Sequence, residues 1–262
     1  MIISSDIKKN LPVKELNNIY FVADFDRTIT NGNSKTSWSI LANSKYVPES
    51  YVLERQKLYD HYRPIEISED IEYSYKIEKI KEWYIKHIEL FIKYKLSNKI
   101  FEEAANNIRI MEFRPYAKEF LEFLHEKQIP LIIISAGIGN FIESFLIKNN
   151  CYFDNIYVSS NKIVFKDGIA EGVEENIIHS FNKNEVSLPI DIRKKIENKK
   201  NVILLGDQIS DLNMVNKKNH DQVISIGFLT KDVPKNIMEK NFDIVCEEND
   251  TYEDVRKILF LL

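Results

Sequence analysis

Short runs of consecutive apolar residues alternate along the chain with longer stretches in which apolar residues recur every three or four positions. The runs are "IYFVADFD" (19–26), "PLIIISAG" (130–137), "NVILLGD" (201–207), "QVISIGF" (222–228) and "FDIVCEE" (242–248). Near-continuous Val/Ile/Leu runs of this length suit strands of a parallel sheet covered on both faces. Helical spacing falls between them, in "PYAKEFLEFLHEK", "GNFIESFLIKNN", "PIDIRKKIENKK" and "TYEDVRKILFLL". Pro115 is expected at the first position of the first of these helices, where its missing N–H costs nothing. Strands alternating with helices predict an α/β fold with a doubly wound parallel sheet. Residues 155–172 break the rhythm and read as a β-ribbon at the edge of the core, with Asp167-Gly168 as its turn.

Residues 34–110 differ from the rest. They are charged, rich in Tyr and nearly free of Gly, and read as helices throughout. They lie between the first core strand and the next. The expected organisation is therefore a core of 1–33 and 111–262 with an inserted helical cap domain at 34–110. Neither an internal repeat nor a low-complexity linker is visible.

Composition narrows the class without changing this picture. The 262 residues suit one sizeable domain, or a core with a smaller insertion. The net charge of −4 gives no sign of a surface for a nucleic-acid polymer, although a small phosphorylated ligand can still occupy a locally basic pocket. Cys151 and Cys246 form no CxxC and sit in or beside apolar segments, as buried free thiols do. The stretch "MIISSDIKKNLPVKELNN" has no apolar core of a signal peptide, and no run reaches the roughly 18 apolar residues of a membrane span. A monomer in the cytoplasm, without membrane contact, is the expectation.

The chemistry lies where the apolar runs end. Asp24 and Asp26 stand one residue apart, so on an extended chain both carboxylates would face the same way and repel. A cation would relieve that repulsion. Ser135-Ala136-Gly137-Ile138-Gly139 follows the second run, and Gly206-Asp207-Gln208-Ile209-Ser210-Asp211 the third, while Lys183 lies in a loop before the third. Ligands of open parallel sheets bind outside the carboxyl ends of the strands. Together these positions offer carboxylates, a hydroxyl, backbone N–H groups and an ammonium, a set suited to phosphoryl transfer. Asp24 and Asp207 can hold Mg2+, which takes oxygen ligands and offsets charge on phosphoryl oxygens. One aspartate can attack phosphorus, and the other can move protons. Ser135, backbone N–H groups and Lys183 can bind the transferring group.

"DFDRT" resembles the DxDxT motif of the haloacid dehalogenase-like (HAD) phosphatases, and Ser135, Lys183 and "GDQISD" resemble that superfamily's later motifs. More narrowly, "SAGIGNFIESFL", "IIHSFNKN", "NVILLGDQISDLNMV", "ISIGFL" and "FDIVCEENDT" are similar to the cytosolic pyrimidine 5'-nucleotidase family, nucleotidase III, as are "YRPIEI" and "IKEWYIKH". The resemblance implies a HAD-like Rossmannoid core and a magnesium-dependent phosphatase of nucleoside 5'-monophosphates. It implies Asp24 as nucleophile and metal ligand, and Asp26 as acid/base whose main-chain carbonyl also binds metal. Asp207 matches the second metal carboxylate, and Asp211 an acidic residue supporting the site. Ser135, Ala136, Gly137 and Lys183 match phosphate-binding positions. Glu66 matches a cap residue that recognises the base, and His87 falls where relatives often carry a small polar residue facing it. Trp38, just after the first linker, is a candidate stacking platform; Trp83 reads as cap core. The segment "NGNSKTSWSILAN" is shorter than in animal members and lacks their Cys- and His-containing stretch, which leaves the base open between pyrimidine and 7-methylguanosine.

Two other readings share parts of this pattern. A phosphatase of a small metabolite such as phosphoserine would keep the core and use cap arginines, Arg55 and Arg63, on a substrate carboxylate. A phospho-accepting receiver would place its phosphorylated aspartate on a later strand and has no helical insertion of this size.

Overall fold

The computed structural model describes residues 2–3, 16–42, 44–68, 70–105, 111–174, 176–247 and 250–261. Most of the stretch read as lacking a signal peptide (4–15) and the expected cap boundary at 106–110 lie outside the described residues, as does Glu248 of the fifth apolar run.

In chain order the elements are β1 (Ile2–Ile3), β2 (Ile19–Ala23), α1 (Ser37–Ala42), α2 (Glu49–Ile67), α3 (Tyr73–Lys93), α4 (Asn98–Ala105), α5 (Ala117–Glu126), β3 (Leu131–Ile138), α6 (Gly139–Lys148), β4 (Ile156–Asn161), β5 (Ile163–Lys166), β6 (Ile169–Val173), α7 (Ile190–Ile196), β7 (Asn201–Gly206), β8 (Gln222–Phe228), α8 (Lys235–Asn241), β9 (Ile244–Cys246) and α9 (Tyr252–Leu261). The main sheet has the order β1-β9-β8-β7-β2-β3-β4, with six parallel strands and β1 antiparallel at one edge.

β2 shows why apolar runs make such a sheet. Its residues are all buried, and they alternate between two cores. Ile19, Phe21 and Ala23 join the cluster on one face; Tyr20 and Val22 join the cluster on the other. Each large side chain taken out of water contributes roughly 1.5–3 kcal/mol. Register then sets the site. Ala23 lies opposite both Ile133 of β3 and Leu205 of β7, so Asp24, Ser135 and Asp207 all leave the sheet at the same end.

Three expectations need correction. Pro115 is not the first residue of α5: Tyr116 adopts a left-handed φ of 61°, the helix starts at Ala117, and the Pro115 carbonyl accepts from Tyr252 N instead. The first part of the expected ribbon, β4, is an edge strand of the main sheet beside β3; only β5 and β6 form a separate hairpin. Its turn is Asp167-Gly168, both at positive φ, as the two-residue turn requires. The fifth run is a strand only over Ile244–Cys246, because Phe242 packs into the core beside β8 rather than pairing.

Between Ser37 and Ala105 the described residues are helical or in short connections. α2 and α3 run antiparallel: Tyr51 meets Phe91, while Tyr62 stacks on Trp83 at 5.9 Å. α3 buries Ile80, Trp83, His87, Ile88, Leu90 and Phe91, the stripe expected of an amphipathic helix. No helix among the described residues is long and apolar enough to cross a membrane.

Candidate active site

Asp24 follows the last residue of β2, and its N–H is held by Leu205 O at 3.0 Å. The chain then makes an irregular turn through Ile29, with Arg27 at φ 65°. Arg114 fixes this turn by donating to Arg27 O at 2.6 Å and Thr28 O at 3.2 Å, with its guanidinium over Phe228. The turn separates the two acids. Asp24 faces the buried floor, whereas Asp26 accepts from Ser37 N at 3.1 Å and Ser37 Oγ at 3.3 Å. Ser37 Oγ also accepts from Ile138 N, which joins α1 to the C-terminal end of β3.

That strand end carries Ser135, Ala136 and Gly137, at a register irregularity between Ile134 and Ile138. Gly137 N donates to Ser135 Oγ at 3.0 Å. A Cβ on Gly137 would lie 2.6 Å from Ser37 Oγ, so only glycine fits. Asn161, at the end of β4, is a residue that sequence reasoning missed. Its amide donates to Ala136 O, Gly137 O and Ile178 O and accepts from Ile178 N. It thereby ties the phosphate-binding candidates to the segment that carries Lys183. A lone Asn at a strand end gives no signal of this in sequence.

Lys183 Nζ lies 2.5 Å from Asp24 Oδ1 and 2.9 Å from Asp211 Oδ1. All three side chains are buried. Asp211 Oδ2 accepts from the backbone N–H groups of Asp207 and Gln208. Gly206 makes room for it, since a Cβ there would meet Asp211 Cβ at 2.5 Å. Asp211 is thus committed to holding the loop and Lys183. Asp207 receives a hydrogen bond from Gln208 Nε2 at 2.9 Å.

Carboxylate atoms of Asp24, Asp207 and Asp211 lie within 4.8 Å of one another. Burial pushes the Asp24 pKa well up, with Asp211, Asp207 and Asp26 adding to the effect and Lys183 opposing it. Burial and then Asp211 raise Asp207 to about 7. Burial raises Asp26 to about 6, against hydrogen bonds from Ser37. Burial lowers the Lys183 pKa, but Asp211 and Asp24 outweigh it and keep the ammonium charged. One ammonium among four acids leaves an excess of buried negative charge. A hard divalent cation fits that donor set, with Asp24 and Asp207 as the carboxylates that line the cavity, Asp211 being held behind them by Lys183 and two backbone N–H groups.

These residues form the floor of a cavity of about 520 Å3. Its lining brings together ten of the eleven expected site residues: Asp24, Asp26, Trp38, Glu66, His87, Ser135, Ala136, Gly137, Lys183 and Asp207. Asp211 lies behind them. The opposite wall also carries Arg55, Tyr59, Arg63, Trp83, Tyr84 and Phe181. Trp38 packs in parallel on Phe91 and donates from Nε1 to Ala136 O at 3.0 Å, which makes it a bridge between α1 and the C-terminal end of β3. Trp83 is packed against Tyr62, as expected of core, and also lines the cavity. His87 is buried, and burial and Arg55 lower its pKa to about 3.

Comparison with known proteins agrees with this geometry. The profile of the pyrimidine 5'-nucleotidase (UMPH-1) family matches residues 24–262. The 7-methylguanosine phosphate-specific 5'-nucleotidase of Drosophila melanogaster is 32% identical over 254 residues, covering 92% of this chain and 79% of that one. The Homo sapiens protein of the same description is 33% identical over 248 residues, covering 91% and 82%. The crystal structure of cytosolic 5'-nucleotidase IIIB bound to cytidine superposes with a TM-score of 0.84 at 30% identity, covering 94% of this chain and 86% of that one. A substrate-bound phosphoserine phosphatase shares the fold alone, with a TM-score of 0.59 at 20% identity, covering 92% and 97%.

Fold and relatives define a phosphoric monoester hydrolase of the HAD superfamily. Within that class the chain belongs to the pyrimidine 5'-nucleotidase (UMPH-1) family, and its activity is that of a 5'-nucleotidase.

Proposed function

We propose that the chain hydrolyses nucleoside 5'-monophosphates, of pyrimidine or 7-methylguanosine type, in a magnesium-dependent reaction through an aspartyl-phosphate on Asp24. The observation that carries this reading is the pairing of Asp24 with Lys183 on the floor of a cavity whose opposite wall is aromatic. Mg2+, held by Asp24, the main-chain carbonyl of Asp26 and Asp207, would neutralise charge on the phosphoryl oxygens.

Asp24 attacks phosphorus, and the bond from phosphorus to the ribose O5' breaks. Asp26 gives a proton to O5', a role that its raised pKa supports. Asp26 then takes a proton from water as the water oxygen attacks phosphorus, which releases phosphate and restores Asp24. Lys183, Ser135 Oγ and the backbone N–H groups of Ala136 and Gly137 hold the phosphoryl oxygens. Asp211 positions Lys183 and the Asp207 loop. Residues 34–110 act as an inserted cap that covers the substrate and excludes water, with 1–33 and 111–262 as core. Glu66, His87 and Trp38 line the base end. The protein works in the cytoplasm as a monomer.

Phosphate release across a panel of nucleoside monophosphates, 7-methylguanosine monophosphate and phosphoserine, with Mg2+ or with chelator, tests the reading. Magnesium-dependent release from nucleotides supports it. Arg55, which lines the cavity with no carboxylate in ion-pair distance among the described residues, favours one second reading: a small phosphorylated metabolite with a carboxylate, such as phosphoserine. Release from phosphoserine alone would establish that reading instead.

A further inference from the structure

The helical wall of the cavity carries a charge arrangement that bears on which base it takes. Glu66 is its carboxylate, and both oxygens are engaged. Oε2 accepts from Arg63 Nη1 at 2.5 Å, and Oε1 accepts from Ser180 Oγ at 2.5 Å. The Arg63 pair is local, three residues apart on α2. Arg55 lines the same wall, close to Ser39 Oγ and the Tyr59 ring, with no carboxylate in ion-pair distance among the described residues. Glu66 and Arg63 cancel, as do Arg27 and Asp232, which pair at the same cavity; His87 is neutral, and Arg55 leaves the wall with one positive charge.

The hydrogen-bonding inventory points the same way. Among the described residues, Arg55 Nε and Trp83 Nε1 are buried without an acceptor, and His87 Nδ1 is buried without a partner. Arg55 Nε and Trp83 Nε1 can only donate. Trp83 and His87 are more than nine-tenths buried, so bulk water does not serve them. As pure donors, Arg55 Nε and Trp83 Nε1 offer a cation nothing to bond to.

We infer that Arg63, by holding Glu66 in an ion pair, is a specificity-determining residue that sets the site for a nucleotide with an uncharged, acceptor-bearing base and against one with a cationic methylated base. The inference rests on the nucleotidase reading above and names the substrate class of that same site. A 7-methylguanine ring brings a positive charge. To pair with Glu66 it must displace Arg63 and leave a half-buried guanidinium without its partner, while Arg55 repels it. An uncharged pyrimidine brings carbonyl oxygens that the Arg55 charge attracts, and an exocyclic amine can take the place of Ser180 on Glu66. This preference departs from that of the relatives described as 7-methylguanosine phosphate-specific.

The test is kcat/KM for cytidine 5'-monophosphate and 7-methylguanosine 5'-monophosphate at low salt, in wild type, Arg63→Gln and Arg63→Lys, with melting curves to verify folding. Wild type should prefer the cytidine nucleotide. Arg63→Gln should move the ratio about tenfold toward the methylated one, and Arg63→Lys should keep the wild-type ratio. Should Arg63→Gln not fold, wild type alone decides: added salt should improve the methylated substrate relative to the cytidine one by screening repulsion. A wild-type preference for the methylated nucleotide, an unmoved ratio in folded Arg63→Gln, or the opposite salt effect would overturn the inference and leave the nucleotidase standing. Hydrolysis of an aryl phosphate but of neither nucleotide would overturn both.

Discussion

Lys183 Nζ sits 2.5 Å from Asp24 Oδ1, and the two side chains are 8% and 5% exposed. A buried ion pair is costly to break from one side, because the surviving charge is stranded. Lys183→Met should therefore cost about 3–5 kcal/mol of stability as well as at least ~100-fold in kcat/KM. Asp24→Asn should be equally inactive but no less stable than wild type, since it removes a desolvated charge while Lys183 keeps Asp211. Urea unfolding beside phosphate release separates the two variants.

Buried carboxylates with raised pKa values are a liability that a divalent cation relieves. Mg2+ should raise the melting temperature of wild type, and the size of the rise should grow with metal concentration. Asp207→Asn should melt at or above the metal-free wild-type temperature, show little response to Mg2+ and release no phosphate. Thermal melts with chelator and with Mg2+ check this.

His87 gives stability a sign on the acid side. Burial and Arg55 lower its folded pKa to about 3, against an unfolded value near 6.5. The unfolded chain therefore binds more protons between these values. The contribution of neutral His87 is fully present above pH ~6.5 and is lost as pH falls toward ~3. Wild type should lose about 2 kcal/mol through this group between pH ~6.5 and ~5, and His87→Gln should not. Urea midpoints across that range measure the difference.

Much of the core was legible in the sequence because its chemistry constrains residue type and place together. Carboxylates and small residues stand where apolar runs end, and β2 pairing puts those ends side by side. The helical wall was less legible. Arg63–Glu66 is a local helix pair, yet Ser180, which holds the other Glu66 oxygen, is 114 residues away. Which of Trp38 and Trp83 spends its N–H on a carbonyl depends on helix rotation, which the neighbouring residues do not encode. The left-handed Tyr116 that displaces the α5 start has no marker in the residues beside Pro115.

Glu185 anchors the Lys183 segment from below. It accepts from Tyr20 Oη at 2.9 Å and Asn216 N at 3.0 Å, and pairs with His220 Nε2 at 2.9 Å. Glu185→Ala strands these groups and should cost about 2–4 kcal/mol, with Glu185→Gln costing less than half of that. Chemical unfolding of the two variants provides the check.

The most direct test of the mechanism is to trap the acyl phosphate. The enzyme is mixed with a turned-over nucleotide and Mg2+, quenched in borohydride, digested and sequenced by mass spectrometry. Homoserine at position 24, dependent on substrate and absent in Asp24→Asn, is the expected result. Turnover with Asp24 unmodified, or reduction at Asp26 instead, would contradict the assignment of Asp24 as the group that attacks phosphorus.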